Sequence, residues 1–157
     1  MQDQTTAHQA LAIVGDTLEL DLKLDQFLRC AITYDQVHRV DIVFEDDVAF
    51  AIRAELVEAG PANKPERLVA TLAMNLSAEF ERRRFGYDEQ SGRIVLQSRV
   101  DASGDDPVEI AGRIAEELSF ASEVADEIGR AGPRDVAAPA PQQPVEGDQA
   151  PANLIQV

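Results

Sequence analysis

The segment Phe85-Gly86-Tyr87-Asp88-Glu89-Gln90-Ser91-Gly92-Arg93-Ile94-Val95-Leu96-Gln97 reads as a β-hairpin set between two amphipathic helices. That order restricts the possible folds more than any other feature of the chain. The tight turn falls at Asp88 to Gly92, and Gly92 tolerates the positive φ that a short hairpin loop ending in a bulge demands. Beyond it, Arg93 to Val100 carries Ile94, Leu96 and Val100 at spacings of two and four, which suits a strand with one buried face.

The helix before the hairpin is predicted over 66 to about 83, where Leu68, Leu72, Leu76 and Phe80 recur every four residues beside Val69 and Ala73. The helix after it opens on Asp106 as N-cap, with Pro107 in the first helical position and Glu109 placed for a capping box. Val108, Ala111, Ile114, Ala115, Leu118, Ala121, Ala125 and Ile128 follow helical spacing, and Gly129 and Gly132 are the expected stop.

Upstream, Ala7, Ala10, Leu11 and Val14 share one face of a helix over 4 to about 14, with Gly15 as its end. Leu18 to Leu24 alternates like a strand, yet Leu18 and Leu22 also suit a continuing helix, and the stretch 17–28 stays open. Cys30, Ile32 and Tyr34 alternate before a polar turn at Asp35-Gln36. Val40, Ile42 and Phe44 do the same, and a turn at Glu45-Asp46-Asp47 leads into Val48, Phe50, Ile52, Ala54 and Leu56. These alternations predict an antiparallel meander with one face on a core. Gly60 to Pro65 breaks it. The chain then divides into a folded unit over 1–130 and a Pro/Ala/Gln-rich tail over 131–157, expected to be disordered because it cannot bury enough surface to order itself.

At 157 residues the chain supports one domain with a modest core. Twenty-nine acidic against 14 basic residues leave a net charge of −15, a field that repels phosphate backbones and argues against a nucleic-acid partner. Arg82-Arg83-Arg84 is the one basic run, read as a cationic last turn of the preceding helix. No apolar run approaches the roughly 20 residues that span a bilayer, so no membrane partner is expected. The start lacks the basic and apolar regions of a signal peptide, and the single Cys30 suits a reducing compartment, so a cytoplasmic location is expected.

Catalytic chemistry finds little to work with. His8 and His38 lie near no cluster with metal-ligand spacing, and Cys30 has no histidine partner to activate it. Gly129-Arg130-Ala131-Gly132 ends a helix where a phosphate loop would begin one. The run Asp101 to Asp105 has Asp106 and Gly112 where a calcium loop needs its glycine and its glutamate. Acidic pairs such as Asp46-Asp47 and Glu116-Glu117 read as solvated turns and helix faces. A binding protein without catalytic residues, cofactor or metal is expected.

The order helix, three strands, helix, two strands, helix, with Leu72 to Leu76, the hairpin from Phe85 to Leu96 and the acid-capped third helix, resembles the class I type III secretion chaperones (the Tir chaperone, or CesT-like, family). Leu24-Asp25 through Cys30-Ala31-Ile32-Thr33-Tyr34-Asp35 is similar to that family's first strand. The resemblance spans about residues 5 to 130. It implies an α+β fold of order α-βββ-α-ββ-α and a cytosolic homodimer. Such a dimer binds the N-terminal chaperone-binding segment of an effector, keeps it extended and delivers it to the secretion ATPase. By position it implies a dimer interface at Leu72, Leu76, Phe80, Phe85 and Tyr87. It implies an effector surface at Leu11, Val14, Leu24, Phe27, Leu28 and Val43, with a strand sometimes added to the sheet edge. The alternative is a regulatory adaptor of the same architecture that binds a folded partner.

Overall fold

The structure, a computed structural model, describes residues 5–34, 37–45, 49–60, 64–77 and 82–131. Helix α1 (Thr6–Leu18) precedes strands β1 (Arg29–Tyr34), β2 (Val37–Phe44) and β3 (Ala49–Glu58). Helix α2 (Lys64–Asn75) leads to the hairpin β4 (Arg83–Asp88) and β5 (Arg93–Asp101), and α3 (Pro107–Arg130) follows. The α+β order α-βββ-α-ββ-α expected from the sequence is the order observed. The strands form one antiparallel sheet, β1-β2-β3-β5-β4. Because β5, and not β4, pairs with β3, the first strand of the hairpin is left at the sheet edge.

Period-two alternation gives the sheet one apolar face. Ile32, Val40, Ile42, Phe50, Ile52, Leu56, Ile94 and Leu96 are buried there in one core with α3, against which α1 packs. At the hairpin, Gly92 has φ 67° and its N–H donates to Asp88 O at 2.8 Å, the turn the sequence predicts. Helix α3 starts as expected: the Asp106 carboxylate accepts from the N–H groups of Val108 and Glu109, and Glu109 accepts from Asp106 N–H. Val108, assigned to the buried stripe, is 64% exposed, and Ile110, two residues later, takes the inward place.

Helix α1 buries Ala7, Ala10, Leu11 and Val14 as predicted, but it does not stop at Gly15. It runs on to Leu18 and closes at Glu19, which adopts the left-handed conformation. Gly15 serves a close approach instead. Leu20 N–H donates to Gly15 O at 2.8 Å, and a Cβ at position 15 would stand 2.6 Å from Leu20 O. Gly15→Ala is therefore expected to cost about 1–3 kcal/mol through overpacking, read as a lower urea midpoint with an unchanged slope. The open stretch after Leu18 is neither strand nor helix: it runs irregularly to Asp25, with Leu22 and Leu24 half-buried against the core.

Helix α2 is shorter than its periodicity suggests. It ends at Asn75, so Arg83 and Arg84 are strand residues and the arginine run is not a helical last turn. Arg83 instead forms a two-pronged ion pair with Glu117 of α3, at 2.8 and 3.1 Å, and its guanidinium lies 3.8 Å over the Phe120 ring. Glu117, read as a solvated helix residue, is buried, while Glu116 is the one in solvent. Arg67 of α2 donates to the carbonyls of Glu58, Gly129 and Ala131, fastening α2 to the ends of β3 and α3. That cation also complements the C-terminal end of α3. The tail beyond residue 131, Phe80, and the turns at Asp35-Gln36 and Asp46-Asp47 lie outside the described residues.

Candidate functional site

The two edges of the sheet are built differently, and the difference starts at two side chains. At β1 the organiser is Asp25. Its carboxylate accepts from the N–H groups of Phe27 (2.8 Å) and Arg29 (2.9 Å), while its own N–H donates to Arg29 O at 2.9 Å. Such a short side chain bonding two to four residues ahead makes a local turn. Leu28, inside that turn, has φ 56°, a conformation a branched residue adopts only where its surroundings impose it. Its N–H donates to Asp25 O and its carbonyl accepts from Phe44 N–H, which sets the register of β1 on β2. Phe27 is thrown outward and is 64% exposed.

With Leu28 bonded to Phe44, the alternation of an antiparallel pair turns the polar backbone groups of Arg29 and Ala31 away from β2, and Thr33 sits where the register shifts between Ile32 and Tyr34. Those of Arg29 are taken by Asp25. Those of Ala31 face outward from β1, which is the edge strand of the sheet, and Ala31 and Thr33 are both exposed. An open strand edge beside an exposed aromatic ring is a place where another extended chain can pair.

The β4 edge is closed at its middle. The Asn75 side-chain amide donates to Phe85 O and accepts from Phe85 N–H, both at 2.8 Å, so it occupies the place of a neighbouring strand. Phe85 is buried, its ring tilted against Phe120 at 6.4 Å, and Tyr87 is half-buried with the Lys64 ammonium 4.5 Å from its ring centre. Helix α2 turns only Thr71 and Met74 fully inward. Val69 (66% exposed) and Leu72 (62%) lie along its opposite face, and Leu76 (88%), just past its last residue, continues the spacing of three and four. Large aliphatic side chains aligned in this way on a solvent-facing helix mark an interaction surface.

A statistical description of the Tir chaperone protein (CesT) family matches residues 9–122 of the chain. The chain belongs to that family. Solved structures agree at the level of fold. A chain of the ExsC–ExsE complex superposes with a TM-score of 0.62 at 19% identity, covering 81% of this chain and 97% of that one. The Yersinia pestis type III secretion chaperone SycH, solved with a stable fragment of YscM2, gives 0.53 at 17% identity over 75% of this chain and 98% of its own. The Escherichia coli protein YbjN gives 0.53 at 18%, over 76% and 88%. A comparison with curated proteins returned no match.

Within this Tir chaperone family fold, the described residues singled out from sequence fall into four groups. Leu24, Phe27 and Leu28 come together at the start of β1, and Val43 sits opposite Arg29 in the register, on the sheet face away from the helices. Leu11 and Val14 are core residues, 1% and 2% exposed, on the narrow stripe of α1 that packs against α3. Leu72 and Leu76 are outward. Phe85 and Tyr87 point under α2 and α3, since β4 shows the helices the same side as Arg83. Sequence reasoning missed Asp25 and Asn75. Asp25 could have been found as an Asx-turn residue two positions before an exposed aromatic, whereas Asn75 left no local signal.

Cys30 is buried in β1, and burial pushes its thiol above the usual range. The thiol stays protonated at neutral pH, so it is expected to react with a colorimetric disulfide reagent only as fast as the chain unfolds. Rapid stoichiometric reaction of the native protein would contradict this.

Proposed function

We propose that the chain is a cytoplasmic type III secretion chaperone without catalytic activity. It binds the N-terminal chaperone-binding segment of an effector, holds it extended and hands it to the secretion ATPase. Family membership supports the chaperone class. The open β1 edge beside Phe27 is the single observation that carries the mechanism. An extended effector segment adds alongside β1 through Ala31 and Thr33, with apolar side chains resting on Phe27, Leu24 and Leu28. Burial contributes about 25 cal/mol per Å² of apolar surface covered, while the net charge of −15 keeps the loaded protein soluble. The outward face of α2, with Leu72 and Leu76, joins two copies into a homodimer.

An isolated, unfolded N-terminal effector segment is expected to bind the purified protein, measured by fluorescence anisotropy. Phe27→Asp should weaken that binding about thirtyfold, the loss of about 2 kcal/mol for an aromatic anchor, with the melting temperature unchanged because Phe27 is exposed. A regulatory adaptor that reads a folded surface would ignore the isolated segment. Wild-type affinity in Phe27→Asp would remove the β1 edge from the mechanism.

A further inference from the structure

The sheet face turned away from α1 and α3 holds a cavity of about 350 Å³. Two cross-strand rows build it. Val43, Ala51 and Arg99 are successive partners across β2, β3 and β5, and Arg53, Gln97 and Arg84 across β3, β5 and β4. The small Ala51 side chain leaves a depression between taller neighbours, with Val43 and Ala51 as apolar floor and Arg53, Arg82, Arg84 and Arg99 as walls.

Four guanidinium groups around one depression stand out in a chain of net charge −15. Two of them are neutralised in place. Arg53 reaches Glu55 and, over β5, Asp88, each at 2.8 Å, and Arg99 meets Glu45 at 2.6 Å. Arg82 and Arg84 are exposed and have no carboxylate within ion-pair reach among the described residues. A guanidinium offers a planar fork of donors that matches a carboxylate. At physiological salt, charges more than about 8 Å away are largely screened, so the field at Arg82 and Arg84 is set by the neighbouring arginines and their carboxylate partners Glu55, Asp88 and Glu45, not by the chain's overall charge.

We propose that this cavity receives an extended acidic segment of a partner protein, its carboxylates on Arg82 and Arg84 and an apolar side chain on the Val43–Ala51 floor. The site lies across the sheet from the helices and does not depend on the β1 edge or on the α2 face, so it goes beyond the effector-holding reading. It gives the protein a second attachment point, selective for acidic sequence.

The test titrates the full-length protein into a fluorescein-labelled synthetic peptide of alternating glutamate and leucine, read by anisotropy. The peptide is expected to bind. The double variant Arg82→Ala/Arg84→Ala should lose about tenfold or more in affinity, the loss of a charge-assisted contact. Both positions are exposed, so its circular dichroism should match the parent. A peptide with glutamine for every glutamate should bind as weakly to the parent protein, and Phe27→Asp should leave the acidic peptide's affinity unchanged. Absence of binding would overturn the proposal. So would binding that survives the double arginine variant or the glutamine exchange, and so would binding that Phe27→Asp abolishes, which would move the peptide to the β1 edge.

Discussion

Glu117→Ala is expected to lower folding stability by about 3–5 kcal/mol, with a fall in melting temperature of roughly 10 °C for a domain of this size. The side chains of Glu117 and Arg83 keep only 10% and 17% of their exposure. Removing the carboxylate leaves a guanidinium shut between α3 and β4, stacked on Phe120, with only the solvent-exposed Glu116 at 3.9 Å to answer its charge. The unpaired charge is the costly part, not the loss of the pair itself. Replacing both members by apolar residues of similar volume, Arg83→Met with Glu117→Leu, is therefore expected to recover most of the loss. Urea denaturation of the two single variants and the double variant gives the coupling directly. A Glu117→Ala protein within about 1 kcal/mol of the parent would show that water reaches the pair, contrary to its burial.

Leu76→Asp, alone or with Leu72→Asp, is expected to turn a particle of twice the chain mass into a single chain. Both leucines are more than half exposed in the isolated chain, so their replacement costs the fold little. In a two-fold symmetric dimer each substitution occurs twice. Losing the burial of one leucine per copy removes about 3–6 kcal/mol per dimer, raising Kd at least about a hundredfold, before the cost of burying a carboxylate is added. Sedimentation velocity at several concentrations, with far-UV circular dichroism as the check on folding, measures it. A Leu76→Asp protein that keeps twice the chain mass would place the self-association surface elsewhere.

The architecture was legible because each element carried a local signal that agreed with its neighbours. The alternations at Cys30 to Tyr34, Val40 to Phe44 and Phe50 to Leu56, the Gly92 turn and the Asp106–Glu109 cap all mark structure within a few residues. What stayed hidden was set by contacts distant in sequence. Helix α2 has the four-residue apolar rhythm of a buried helix, yet it lies beside β4 and α3 at the sheet edge and buries only the Thr71–Met74 flank. Periodicity reports that a helix has an apolar side and is silent on whether the same chain covers it. Glu117 falls on the inward stripe of α3 between Ile114 and Ala121, and that position was the available sign of its burial. Its partner comes from 34 residues upstream. At the candidate site, Phe27, Leu24 and Leu28 were recognisable as apolar residues before a strand. Which edge is open depends on Asn75 closing β4, a bond across ten residues that no local pattern announces.

Amide hydrogen exchange on the protein alone and loaded with an effector's N-terminal segment tests the chaperone mechanism most directly. In the free protein the amides of Ala31 and Thr33 should exchange fast, and Phe85, bonded to Asn75, should exchange slowly. On loading, Ala31 and Thr33 are expected to become protected while Phe85 is unchanged. A tightly bound segment that leaves Ala31 and Thr33 exchanging as before would contradict strand addition at the β1 edge.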